Sequence, residues 1–111
     1  MGKGKAELLQ STLDLLVLKT VDTLGPLHGW AIAERIQQIS EDVLQIGQGS
    51  LYPALHRIEH RGWIEADWHT SELGRRAKYY QLTAAGRRQL AAEARAWERM
   101  SVAIGRVLKL A

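Results

Sequence analysis

From residue 90 onward, apolar residues recur at every seventh position: Leu90, Trp97, Ile104 and Ala111, with Ala94, Ser101 and Leu108 at the intermediate positions. A seam of that period predicts one long helix running toward the C-terminus, with Thr83 as its N-cap. A helix of roughly 25 residues leaving a small domain with an apolar stripe needs a partner to cover it. Identical chains pairing about a two-fold axis are the commonest solution, so a homodimer is expected.

The remaining residues set the scale of what the chain can hold. Of 111 residues, 46% are hydrophobic and 24% charged, which is ordinary for one globular unit. A chain of this size buries roughly two thirds of its unfolded surface, enough for a single modest core. That favours a binding module over an enzyme with a large internal cavity. There is no cysteine, which excludes disulfides, Cys-based zinc sites and thiol nucleophiles. "MGKGKAELLQ" has no apolar run suited to a signal peptide, and no segment reaches the roughly 20 apolar residues of a membrane span. No membrane association and a cytoplasmic location are therefore expected. G-x-S-x-G, P-loop and G-x-G-x-x-G patterns are missing, and no cofactor is called for.

Three further helices and a hairpin are predicted ahead of the long helix. In "LLQSTLDLLVLKTVDTLG", Leu9, Leu13, Leu16, Val17 and Leu24 hold helical spacing, with Ser11 and Asp14 in the order of a capping box and Gly25-Pro26 as the stop. Leu8, Leu15 and Leu18 fall off that stripe, which predicts a second covering surface contributed by another subunit. "HGWAIAERIQQIS" sets Ile32, Ile36 and Ile39 on one face of a second helix, with Trp30 beside Ala33 on its flank. "EDVLQIGQGS" reads as a loop ending in Ser50, the predicted cap of a third helix whose first turn tolerates Pro53. Leu51, Leu55 and Ile58 form the inner stripe of that helix, and Gly62 ends it. "WIEADWHT" and "KYYQLT" alternate as strands do, joined by "SELGRRA", so a two-stranded hairpin is expected with Arg75, Arg76 and Lys78 at its tip.

Charge follows the same division. Residues 1–49 hold four basic and six acidic side chains, residues 50–88 seven and four, and residues 89–111 four and two. The excess begins with the third helix, and a polarised basic surface favours a polyanionic partner. Three helices followed by a hairpin is the order of a winged helix-turn-helix, whose third helix enters the major groove of DNA. Ser50, Tyr52, Pro53, His56, Arg57 and His60 fall off the inner stripe and form its exposed face, with Ser50 and Tyr52 as hydroxyl donors to phosphate. Tyr52 is equally readable as a half-buried surface aromatic. Tyr80 is expected in the core at the base of the wing, and Tyr79 stays open.

His56, Glu59 and His60 also spell H-x-x-E-H, the order of an inverted zinc protease site, with both histidines on one helix face. Such a site needs a third protein ligand and a cleft. No later helix offers a convincing acidic ligand, so neither catalysis nor a bound metal is expected, and His28 and His69 are read as plain polar residues.

"LHGWAIAERI", "GSLYPALHRIEHRGWI" and "GRRAKYYQLTAAGRRQL" together resemble the PadR family of bacterial transcriptional regulators over nearly the whole chain. The single terminal helix resembles the short branch of that family, and the match further resembles PadR-like proteins found with transport-permease genes. The resemblance implies a mainly α fold with a small β-hairpin: a winged helix-turn-helix over residues 1–83 and a dimerisation helix over residues 84–111. It implies a repressor that binds a pseudo-palindromic operator in double-stranded DNA. By it, Ser50, Tyr52, Pro53, His56 and Arg57 match the recognition helix, and Arg75, Arg76 and Lys78 the wing. Trp30 stands where many relatives have tyrosine, which leaves packing as its expected role. Trp97 on the seam is expected to pack the dimer. Its rival role, implied by some short relatives, is as a platform for a flat aromatic or hydrophobic effector, with Leu15, Leu18, Met100 and Ile104 as neighbours. The alternative function is a winged-helix protein-interaction module that binds no DNA.

Overall fold

The first helix is longer than its capping signal predicts. A computed structural model describes the backbone of residues 2–110 and the side chains from Gln10 onward, and in it α1 runs from Gly2–Leu24. Ser11 and Asp14 are therefore mid-helix and cap nothing. Asp14 turns inward instead, 6% exposed. Leu18, expected off the stripe, is fully buried alongside Val17. The reason is that α1 is the central helix, in contact with α2, α3, β3 and α4 of its own chain, so its apolar circumference is covered largely from within. The side chains of Leu8 and Leu9, and all of Ala111, lie outside the described residues.

Around α1 come β1 (Leu27–His28), α2 (Gly29–Ile39), α3 (Gln48–His60), β2 (Ile64–Thr70), β3 (Arg76–Leu82) and α4 (Ala84–Leu108). The sheet has three strands rather than two, in the order β1-β3-β2 and antiparallel throughout. β1 pairs Leu27 with Tyr80 and His28 with Tyr79. Two residues carry no alternation, so nothing in the sequence announces this strand. His28 then caps α2, its Nδ1 accepting from the Ala31 N–H at 3.2 Å. Tyr79 stands between His28 and His69 in two edge-on ring contacts, whereas Tyr80 on the opposite face is buried as expected.

Gly47, not Ser50, is the N-cap of α3, and it offers no side-chain bond. The helix starts two residues before Ser50, which places Pro53 in its second turn, where the missing N–H removes a bond to the Gly49 carbonyl. Leu51, Ala54, Leu55 and Ile58 face inward and are almost wholly buried. With Val17, Leu18, Ile32 and Ile64 they make the core, each large aliphatic stabilising the fold by about 1.5–3 kcal/mol on burial. The stripes of α1 and α2 outrun that core: Leu24 and Ile39 are exposed.

The wing joins the core through β2 and β3. Ile64 pairs with Leu82 at its base and Thr70 with Arg76 near its turn. Thr83 caps α4 as expected: its Oγ1 accepts from the Gly86 N–H at 3.0 Å and donates to the Gly62 carbonyl at 2.6 Å. Gly86 permits the close approach, since a Cβ there would lie 2.0 Å from the Trp63 carbonyl oxygen. Leu90 is buried, but beyond it Trp97, Met100, Val102, Ile104, Val107 and Leu108 are exposed. Among the described residues, no helix is long and apolar enough to cross a membrane.

Candidate nucleic-acid interface and the groove beside the long helix

The outer face of α3 carries Ser50, Tyr52, Pro53 and His56, all exposed. Its first turn is open: the Ser50 and Leu51 N–H groups both donate to the Gly47 carbonyl, at 3.1 and 3.0 Å, and those of Gln48 and Gly49 find no acceptor among the described residues. A Cβ at Gly47 or Gly49 would meet nothing within 4 Å. Internal packing does not demand glycine at either position, and the bare backbone lets an anion approach the helix start closely. Gln48 and Gly49 escape a reading of the sequence because Ser50 is the stronger capping residue by type.

Arg57 departs from the expected face. Its Nη2 donates to Asp14 at 2.5 Å. With the Gln10 amide turned so that its oxygen faces the guanidinium, that oxygen accepts from Nε at 3.0 Å and Nη1 at 2.7 Å. The guanidinium thus ties α3 to α1 and is not presented outward. The pairing crosses 43 positions, so periodicity within α3 could not reveal it.

Arg75 and Arg76 are exposed at the wing, as expected. Lys78 is not at the tip: it lies opposite Trp68, two pairs inward from Thr70–Arg76. Its Nζ donates to Glu59 on α3 at 3.2 Å and lies 5.7 Å from the Tyr80 ring centre. Burial pushes the Tyr80 phenol up, opposed by the neighbouring Lys78 charge, so Tyr80 stays neutral at physiological pH. The Arg76 guanidinium stacks over Trp68 at 5.6 Å. Tyr52, His56 and Lys78 are brought together around one cleft of about 400 Å³ that opens between α3 and the wing. His28, Trp30 and Trp68 line it too. Of these, the sequence assigned Trp30 to packing and did not single out Trp68. Glu59 holds Lys78, and among the described residues no three His, Asp or Glu side chains could hold a metal ion.

Two grooves flank Trp97, which is 47% exposed. One, of about 740 Å³, runs from Leu15 and Lys19 on α1 to Ala94, Trp97 and Ser101 on α4. The other, of about 290 Å³, is lined by Ser11, Leu15, Glu93, Trp97 and Met100. Leu15, Trp97 and Met100 thus come together. Leu18, sealed in the core, lines neither groove, and Ile104 lies beyond both. Glu93 is the unexpected member. Gln89 donates to its Oε1 at 3.1 Å, while Oε2 is buried with no partner among the described residues. Burial holds the Glu93 carboxyl above the ordinary carboxylate range, with the Gln89 bond opposing and Asp14 reinforcing the shift. The fold therefore favours the protonated form: its stabilising contribution is complete in acid and is lost as pH rises through the raised value. Glu93→Gln is expected to melt at a higher temperature than the parent near neutral pH, the gap closing toward about pH 4. A gap that stays constant across thermal melts over that range would contradict this.

The "Transcriptional regulator PadR-like family" model matches residues 17–92. The chain is 41% identical over 87 residues to an uncharacterized 37.1 kDa protein of transposon TN4556 from Streptomyces fradiae, covering 78% of this chain and 23% of that protein. It is 34% identical over 65 residues to the transcriptional regulator Rv3488 of Mycobacterium tuberculosis, covering 59% of this chain and 60% of the relative. It thus spans less than two thirds of either relative. A transcriptional regulator from Clostridium thermocellum superposes with a TM-score of 0.82 at 23% identity, covering 93% of this chain and 99% of that one. That likeness extends the winged-helix fold through α4.

Proposed function

The chain belongs to the PadR-like family of transcriptional regulators, DNA-binding proteins without enzymatic activity, and from that premise we propose that it is a cytoplasmic homodimeric repressor of a pseudo-palindromic operator. Residues 1–83 form the DNA-binding unit and residues 84–111 the dimerisation segment, whose pairing helix is α4. One observation carries the reading: Tyr52 and His56 near the open start of α3 and Lys78 and Trp68 of the wing line one cleft, with the Arg76 guanidinium stacked over Trp68. A helix start and a cationic β-turn on one side of a small domain suit the phosphates of adjacent grooves. Ser50, Tyr52, Pro53 and His56 face the major groove, Arg75 and Arg76 the minor groove or its phosphates, and Lys78 braces the wing against α3. Arg57 has no part in contact with DNA.

The apolar side of α4 beyond Leu90 supports the dimer, since five large apolar side chains there, Trp97, Met100, Ile104, Val107 and Leu108, are uncovered in a single chain. Pairing about a two-fold axis sets the two α3 helices about 34 Å apart, one turn of DNA. A small aromatic or hydrophobic effector is accommodated against Trp97, Leu15 and Met100, where binding shifts the pairing of α4 and hence that spacing. Sedimentation and mobility shift with random-sequence duplex in dilute salt test the reading together. A dimer that retards duplex and competes for a palindrome is the expected result. A monomer, or a dimer that leaves duplex unretarded, overturns it and favours a protein-interaction module. Trp97 emission that is unchanged across a panel of hydrophobic drugs, with DNA affinity also unchanged, removes the effector alone.

A further inference from the structure

The cleft between α3 and the wing is built mainly of aromatic side chains, which cationic capture of DNA does not require. Trp30 is 39% exposed, Tyr52 42% and Trp68 55%, and all three line the same space. Among the described residues, neither indole N–H nor the Tyr52 hydroxyl has a hydrogen-bond partner. Three half-exposed rings, each with an unused donor at its polar end, converge beside Lys78 and His56. Arg76 lies over the face of the Trp68 ring, which restricts that indole. No carboxylate lines the cleft: Glu59, the nearest acidic group on α3, is held by Lys78.

The position of the cleft identifies what such a surface would hold. A helix in the major groove and a wing in the adjacent minor groove are separated by one strand's backbone, since that backbone is what divides the two grooves. The occupant is therefore a chain of deoxyribose rings, whose C–H faces pack on aromatic rings, and phosphates, which accept from neutral N–H and O–H groups as well as from cations. We propose that this cleft seats the sugar–phosphate backbone of one DNA strand, with Trp30 and Trp68 as additional DNA-contacting residues that pack on deoxyribose and donate their indole N–H groups to phosphate oxygens. The assignment rests on the DNA-binding reading above. It gives Trp30 a role beyond packing, and adds affinity that does not depend on the release of counterions.

That last property separates indoles from arginines in an experiment. Trp30→Phe and Trp68→Phe, each in the full chain, keep an aromatic ring but remove the donor. Each is expected to weaken binding to a random-sequence duplex about five- to tenfold by fluorescence anisotropy, with the slope of log K against log salt unchanged, because no cation has been removed. A second measurement uses the Trp63→Phe/Trp97→Phe protein, which retains only the two cleft indoles. Added duplex should shield its emission from acrylamide. If both Phe variants bind as tightly as the parent, or the slope flattens for either, or duplex bound by the Trp63→Phe/Trp97→Phe dimer leaves its acrylamide quenching unaltered, the cleft does not seat the backbone, while the parent's own retardation of DNA still stands. A parent that binds no duplex overturns both readings. Loss of affinity at constant slope, with shielding, supports the cleft alone.

Discussion

Arg57→Ala is expected to destabilise the fold by about 3 kcal/mol, more than Asp14→Ala, at about 1–2 kcal/mol. The inequality comes from where each partner is left. The side chain of Asp14 is 8% exposed and that of Arg57 24%, so without Arg57 a carboxylate is stranded against the core. Freed of Asp14, the guanidinium is already partly in water and can move outward, keeping its bonds to Gln10. Partial exposure holds both values below those of a fully buried pair. The double mutant should be less destabilised than the sum of the single mutants, with a coupling of about 1–2 kcal/mol. Arg57→Lys should rescue only in part, because one ammonium cannot reach Asp14 and Gln10 together as a fork can. Urea unfolding measures all four variants. An Arg57→Ala protein of parental stability with weakened DNA binding would return Arg57 to the recognition surface and refute the tether.

Arg75→Ala/Arg76→Ala should act on binding and leave the fold alone. Both side chains are exposed and neither forms an ion pair among the described residues, so stability should stay within about 0.5 kcal/mol of the parent. Affinity should fall at least about 100-fold for every duplex in dilute salt, and the salt slope should flatten by about four, one for each phosphate that the four wing arginines of a dimer no longer neutralise. A loss confined to particular bases would make the wing a direct reader of sequence. An unchanged slope would remove it from the interface. Together with the cleft variants, the slope divides the binding surface into a cationic turn and a neutral aromatic seat.

Local patterns made much of this legible. The inner stripe Leu51, Leu55 and Ile58, the end of α3 at Gly62, the Thr83 cap and the alternation of β2 and β3 all depend on neighbours within a few positions. Where the expectations failed, the partner was far along the chain or the signal too short. Asp14 looks like half of a capping box because S-x-x-D is a local sign, but its partner is Arg57 on another helix. β1 is only two residues long and exists because β3 offers an edge to pair with. Lys78 reads as a tip residue until the register sets it opposite Trp68, two pairs in from the turn, where Glu59 of α3 accepts from it.

Spacing and residue type alone determined the order of the four helices and the β2–β3 hairpin, the inward faces of α2 and α3 and the cationic turn of the wing, because those follow from backbone periods and side-chain chemistry. Tertiary structure decided which charges are free and which rings share a cleft: Arg57 bound to α1, Lys78 braced on Glu59, Glu93 half-buried near Trp97, and Trp30, Tyr52 and Trp68 gathered beside α3. The availability of a charge or donor depends on what lies across the fold from it, and that distance is set by packing rather than by sequence separation.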